Sequence, residues 1–424
     1  MHEFRTRQGR LYCEQVPVDR IAREVGTPVY IYSYHTLVDH FQKLKTAFRR
    51  IDPLICFSVK ANGNLSILKI LASHGAGLDV VSGGELYKAL KAGCPPERIV
   101  FASVGKTPEE IREALRVGIF CFNVESVPEL ERINEEACNA GKIASVALRV
   151  NPDVDAHTHR HITTGVAESK FGIDFETVRE LLLTQWASFR SLKLIGFHLH
   201  IGSQITSARP FLKAITRIGT LIRELRGKGM EIGWLNLGGG LGIVYKDERP
   251  QTAQQFAAAI LPALMKLKVK LILEPGRFIV GNAGILVARV IHINRKRKKQ
   301  FMVVDTGMND LIRPALYEAY HEVMPVEGNG RAKRPLQVYD VVGPICESAD
   351  VLARDRRLPA LEPGAFLAIF GAGAYGFVMA SNYNGRPRAA EVIVKDKAHY
   401  VVRQRETRED LVRYERVPVE LLAG

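Results

Sequence analysis

Leu54-Ile55-Cys56-Phe57-Ser58-Val59-Lys60-Ala61-Asn62 is a short apolar run that closes on a single cationic side chain. Its length and β-rich composition are those of a buried strand. Lys60 then stands where such a strand would empty into a cavity, the place where an enzyme keeps an imine-forming amine. A strand-end lysine can equally lay its stem along apolar surface and leave the ammonium in water. The sequence on either side decides between the two.

Further β-rich runs begin at Gly77, Ile99, Ile119, Ala144, Leu194, Trp234 and Leu271, which makes eight with the first. Between them lie segments with apolar residues at helical spacing, such as 64–74, 84–92, 108–117, 127–140 and 210–226. Alternation of this kind predicts βα units around a parallel sheet, and eight units in about 250 residues is the arithmetic of a (β/α)8 TIM barrel. The expected class is therefore α/β, with the barrel over residues 36–282. Beyond it the pattern changes to strands separated by turns, at 301–304, 337–342, 366–370 and 391–394. These predict a second, all-β domain from 283–424, joined by the strand-like piece Pro28-Val29-Tyr30-Ile31-Tyr32 of residues 1–35.

Composition excludes several alternatives. No stretch approaches the roughly 18 uninterrupted apolar residues of a membrane span. The charged start Met1-His2-Glu3-Phe4-Arg5 is not followed by an apolar segment of the secretory type. A cytoplasmic protein without a membrane partner is expected. The six cysteines show no C-x-x-C pair, and four of them fall in apolar patterns that read as core. The formal charge of +14 is gathered in short clusters at 295–299, 331–334 and 354–357, each flanked by strand-like sequence. Such runs read as solvated turns rather than as a nucleic-acid surface.

In a barrel the chemistry gathers where strands end and loops begin. Here the strand ends carry Lys60; Asp79 before Ser82-Gly83-Gly84-Glu85; His198, His200, Ser203 and Gln204; Gly238-Gly239-Gly240; and Glu274-Pro275-Gly276-Arg277. The glycines let backbone N–H groups approach a ligand, and barrels commonly hold phosphate after strands seven and eight. Glu274, at the end of a buried strand, asks for a cationic partner, and a pyridinium nitrogen would serve. An amine, a phosphate nest and a carboxylate at one barrel mouth describe a pyridoxal phosphate site. His198 and His200 share one side of a strand, so a two-histidine metal site is the rival reading, short of a third ligand. His157, His159 and His161 alternate in a polar stretch and read as a substrate-proximal flap. Gly371-Ala372-Gly373-Ala374-Tyr375-Gly376 matches G-x-G-x-x-G, but Asn382 to Pro387 breaks any helix that would have to follow, so it is not a dinucleotide fingerprint.

The ordered series FSVKAN, GLDVVSGGEL, HLHIGSQ, NLGGGLG, EPGR, DTGMNDLIRPALY, CESAD and GAGAYGFVMASNYNGRPRAAEV resembles the motifs of diaminopimelate decarboxylases, pyridoxal-phosphate enzymes of the alanine-racemase-like fold. The resemblance spans residues 25 to 395. It implies a homodimer with shared active sites and the last step of lysine biosynthesis, in which the D-centre of meso-diaminopimelate loses CO2 to give L-lysine. Residue by residue, Lys60 resembles the imine lysine, His200 the ring that stacks on the cofactor and Glu274 the pyridinium partner. Asp79 belongs with the cofactor group, and Ser203, Gly239, Gly240 and Tyr375 resemble the phosphate neighbourhood. Arg277, Arg313 and Tyr317 resemble the holders of substrate carboxylates, a task that suits the planar guanidinium, and Tyr375 also faces substrate. Glu347 resembles the reader of the distal ammonium and Cys346 the acid that reprotonates the carbanion, both expected from the neighbouring subunit. Phe57 and Thr306 depart from the family's commoner tyrosine and alanine.

Three rivals remain on the same residues. An ornithine or arginine decarboxylase has no second carboxylate for Arg313 to hold, and typically carries Cys-Asp where this chain has Cys346-Glu347-Ser348. A racemase needs a second base on the opposite face of the ring. A binding protein without catalysis has no use for Lys60 with Cys346.

Overall fold

A computed structural model describes residues 2–152, 170–327 and 335–422, organised as two compact units, Thr36–Gly281 and Met1–His35 with Asn282–Gly424. The histidines 157, 159 and 161 and the basic cluster 331–334 lie outside the described residues.

In the first unit eight parallel strands form a closed ring: β1 (Leu54–Ser58), β2 (Gly77–Val80), β3 (Ile99–Phe101), β4 (Cys121–Val124), β5 (Ala144–Asn151), β6 (Leu192–His198), β7 (Trp234–Asn236) and β8 (Lys270–Leu273). Closure is made by Ile272 of β8 beside Leu54 of β1, and by Phe122 of β4 beside Val146 of β5. Every residue of β1 to β4 is buried, which is why these strands read as continuous apolar runs rather than alternating ones. The strand starts fall within two residues of those expected from the sequence.

The intervening helices begin on the residues that favour helix starts. Ser82 caps Gly83–Lys91 by accepting the N–H of Glu85, and Thr107 with Glu110 makes a reciprocal box at the head of Pro108–Val117, which ends on left-handed Gly118. Ser126 starts Val127–Asn139 and Thr252 starts Ala253–Leu267 in the same way. Each cap fixes the point at which a βα loop becomes helix, and so fixes the length of the loops that line the barrel mouth.

The second unit is mostly sheet. Its main path runs Val351–Pro359, Leu336–Val342, Gln300–Val304, Gly284–Arg295, Val29–Ser33, Ala390–Lys395 and Ala398–Arg403. Val29–Ser33 pairs antiparallel with Gly284–Arg295 and parallel with Ala390–Lys395. Val29, Ile31, Ile285, Val287, Ala368, Val392 and Val394 form its buried core. The second unit is the expected β domain, and it also carries the short helices Val18–Val25, Arg313–Tyr317 and Arg408–Val412. The basic run 295–299 is a hairpin turn in which Lys299 bonds Asp340 at 2.7 Å. After Phe366–Ile369 the glycine-rich segment leads to two short 3-10 turns, Phe377–Met379 and Tyr383–Gly385, and not to the helix of a dinucleotide fold. Among the described residues no helix is long and apolar enough to cross a membrane.

Candidate active site

Lys60 occupies the one-turn helix Val59–Ala61 that follows β1, and its side chain is 38% exposed. Register sets its neighbour: Ser58 of β1 lies beside Asp79 of β2, which brings Lys60 Nζ to 3.6 Å from Asp79 Oδ2. Ser58 Oγ also donates to Asp79. Asp79 is fully buried, and among the described residues its Oδ1 has no hydrogen-bond partner. Burial, and then the nearby Glu274 carboxylate, push its pKa up to about 6 against the opposing pull of Lys60 and Ser58.

Glu274 follows β8 and is buried, yet it is held ionised. Its Oε1 accepts the side-chain amides of Asn123 from β4 at 2.7 Å and Asn236 from β7 at 2.5 Å, and its Oε2 lies 3.2 Å from His198 Nε2. Burial alone would raise the carboxyl pKa. The His198 ring, Lys60 and the Asn236 amide outweigh burial and place it far below the ordinary range. Three strands thus aim polar groups at one oxygen pair, leaving a fixed negative charge inside the barrel mouth.

The glycine turn after β7 is required by space as well as by conformation. Gly238 and Gly240 have φ of 64° and 98°, and a Cβ on Gly239 would fall 2.4 Å from the carbonyl oxygen of Glu274. Gly239 donates its N–H to His200 Nδ1 at 3.2 Å, so that nitrogen carries no proton. Burial, then Arg149 and Lys60, press the His200 pKa well below its usual value, and the ring is a neutral, flat face. His198 and His200 are turned to different partners, Glu274 and Gly239, and among the described residues neither belongs to a group that could hold a metal ion. Arg277 is buried with Nη1 donating to Tyr245 Oη at 2.6 Å and Nη2 to Ser203 Oγ at 3.1 Å.

The barrel therefore brings together Lys60, Asp79, His200, Ser203, Gly239, Gly240, Glu274 and Arg277. The other five candidates belong to the second unit. Arg313 and Tyr317 share one short helix, Arg313 being buried with Nη1 2.9 Å from His321 Nε2. Cys346 and Glu347 are adjacent on an exposed turn, and Tyr375 sits at φ 55° in the glycine-rich segment. Sequence reasoning passed over Asn123, although it stands near the end of a buried strand and interrupts an apolar run. It also passed over the ion pairs that brace that rim: Lys106 to Glu129 at 2.6 Å, with Lys106 also on the Asn123 carbonyl, and Arg149 to Glu125 at 2.6 Å. The strand-end rule that found Glu274 would have found Asn123 and Glu125 at the end of β4 and Arg149 near the end of β5.

The barrel matches the family model for the pyridoxal-dependent decarboxylase, pyridoxal binding domain, over residues 34–281. Fold and site together define a decarboxylase of that class. A diaminopimelate decarboxylase of Aquifex aeolicus is 48% identical over 408 residues, covering 96% of each chain. Two crystal structures of diaminopimelate decarboxylases in complex with L-lysine superpose closely. That from M. jannaschii has a TM-score of 0.93 at 39% identity over 99% of this chain and 100% of its own, and that from Helicobacter pylori 0.89 at 41% over 94% and 98%. The chain belongs to the diaminopimelate decarboxylase family.

The residues present fit pyridoxal phosphate. An amine, a carboxylate held anionic, a neutral flat ring and a turn that excludes Cβ atoms all open on one mouth, with Asp79 Oδ2 3.6 Å from the amine and Asp79 Oδ1 buried and unpartnered among the described residues.

Proposed function

We propose that this chain removes CO2 from the D-centre of meso-2,6-diaminopimelate to give L-lysine, the last step of lysine biosynthesis. The observation that carries the reading is Glu274, a buried carboxylate that accepts Asn123 and Asn236 and is kept ionised chiefly by the His198 ring and Lys60 in the same barrel mouth. Lys60 would hold the cofactor through its amine, Glu274 would face the ring nitrogen, and His200 would cover one ring face. Ser203, Gly239, Gly240 and Tyr375 would hold the phosphate. When bound, pyridoxal phosphate supplies the electron sink for the pair left behind by departing CO2.

The chain's own share is positioning and charge. Glu274 stays anionic and so favours a protonated nitrogen opposite it, which keeps that sink strong. Asp79 keeps an acceptor beside the Lys60 amine. Arg277, Arg313 and Tyr317 hold the substrate's carboxylates by paired N–H and O–H donors, with Tyr375 beside them. Glu347 receives the distal ammonium, and the Cys346 thiol returns a proton to the carbon that has lost CO2. Cys346 and Glu347 act from a second copy of the chain in a homodimer, in the cytoplasm.

Measuring CO2 release from meso-diaminopimelate, ornithine and arginine side by side tests the assignment. Release from the first alone is expected; release from ornithine alone would overturn the substrate. Borohydride reduction with pyridoxal phosphate, followed by peptide mapping, should label Lys60.

A further inference from the structure

The exposed turn that carries Cys346 and Glu347 owes its shape to residues with no part in the roles given above. Asp350 is buried, and each of its carboxylate oxygens accepts a backbone N–H, Oδ1 from Met308 at 2.6 Å and Oδ2 from Ile345 at 2.8 Å. The turn also closes on itself through its backbone. Glu347 N–H donates to the Ile345 carbonyl at 2.8 Å, Asp350 N–H to that of Glu347 at 3.0 Å, and Gly343 N–H to that of Asp350 at 3.1 Å. From a separate segment Asn384, held at φ 56°, accepts the N–H of Cys346 on its Oδ1 at 2.7 Å.

Two glycines close over the carboxylate. A Cβ on Gly307 would fall 2.7 Å from Asp350 Oδ2, and one on Gly343 only 2.3 Å from the same oxygen and 2.5 Å from the Gly307 Cα. The loop at 307–308 and the turn at 343–350 are thus pressed together with one carboxylate between them and no room for side chains. This accounts for the glycine of DTGMND, and for the aspartate that ends CESAD, in purely geometric terms.

We propose that Asp350 and Asn384 are positioning residues for Cys346 and Glu347. Asp350 locks the turn to the 307–308 loop, and Asn384 pins the one backbone N–H that precedes the thiol's own Cα. A thiol that must meet a single carbon needs this precision, because a misplacement of about 1 Å can cost on the order of a hundredfold in rate. The proposal rests on the reading of Cys346 as proton donor, and its test separates the two.

Asn384→Ala removes the bond to Cys346 and adds backbone strain at φ 56°, which Asn384→Asp avoids; Asp350→Asn replaces one acceptor oxygen with a donor facing an N–H. Both are made in the full chain loaded with pyridoxal phosphate. Expected for each is a fall in kcat of about tenfold or more with cofactor affinity within about twofold, and for Asp350→Asn, which loosens Glu347 as well, also a rise in KM for meso-diaminopimelate. Amide hydrogen exchange should quicken in peptides covering 343–350, and for Asp350→Asn also 305–310, but not in barrel peptides. Asn384→Asp, which keeps an acceptor oxygen, should restore most of the rate. Unchanged kcat and unchanged exchange in Asn384→Ala would overturn the proposal, as would exchange that rises evenly over the whole chain. Full activity in Cys346→Ser would sink the proton-donor reading alone, since the exchange pattern tests the clamp without reference to the thiol. Should Asp350→Asn fail to fold, Asn384→Ala still decides the matter.

Discussion

The side-chain amide of Asn123, on β4, donates to Oε1 of Glu274, beyond the end of β8, at 2.7 Å. Neither residue is close to the other in sequence, and the bond exists only because the ring of strands closes. A hydrogen bond to a charged acceptor contributes about 1.5–3 kcal/mol, and its loss inside a desolvated site falls on the charged form of the carboxylate. Asn123→Ala should therefore raise the pKa of Glu274 and weaken its hold on a protonated ring nitrogen. A fall in kcat of about tenfold is expected, roughly 1.4 kcal/mol of barrel-mouth electrostatics. A pH titration of the cofactor's absorbance checks the cause: the pH at which the ring nitrogen loses its proton should move down relative to the parent chain.

Gly239→Ala tests the cradle. The added Cβ would meet the Glu274 carbonyl oxygen at 2.4 Å, and neither backbone can retreat without disturbing the carboxylate that follows β8. Cofactor affinity should drop by at least tenfold, read by equilibrium dialysis of pyridoxal phosphate. Retained affinity would show that the turn is there for packing alone.

Asp79 gives a pH dependence of defined sign. Its folded pKa of about 6 lies above the ordinary aspartate value near 4, so between these two pH values the folded chain binds more protons than the unfolded one. Its contribution to stability is therefore present below about pH 4 and lost as pH rises through 6, to a maximum of about 3 kcal/mol. Asp79→Asn should flatten that slope. Urea midpoints at several pH values for parent and variant, compared as differences, give the result; identical slopes would exclude the effect.

Arg313 is buried on a short helix, and its orientation depends on His321. The Nδ1 of His321 lies 2.8 Å from the Phe370 carbonyl, which must accept, so Nε2 is left to accept from Arg313. Arg313→Ala should raise KM for meso-diaminopimelate by a hundredfold or so, the cost of about 3 kcal/mol expected for a lost carboxylate clamp, and leave cofactor absorbance intact. Loss of that absorbance would remove Arg313 from the substrate side.

The barrel was legible because its signals are local. A buried parallel strand must be a continuous apolar run, and each helix start shows its own cap, so eight units could be counted before any contact was known. Lys60 and Glu274 stood out as charges where apolar runs stop. What stayed hidden depends on closure or on chain crossings. Asn123 is an ordinary strand residue until β8 arrives beside β1 and carries Glu274 toward it. The long strand Gly284–Arg295 did not register, because its apolar stretch continues directly from the barrel's last turn and only its pairing with Val29–Ser33, Gln300–Val304 and Phe366–Ile369 defines it. Asp350 looked like the tail of a motif, and its purpose emerges only when Gly307 is laid against Gly343.

The placement of Val29–Ser33 between Gly284–Arg295 and Ala390–Lys395 has a consequence for biosynthesis. This strand leaves the ribosome before the barrel does, yet both of its neighbours are translated after the barrel. An early apolar segment must therefore wait, uncovered, while the entire barrel is made. During that interval it is a natural target for chaperones, and a message cut short before codon 390 would leave one of its edges permanently open.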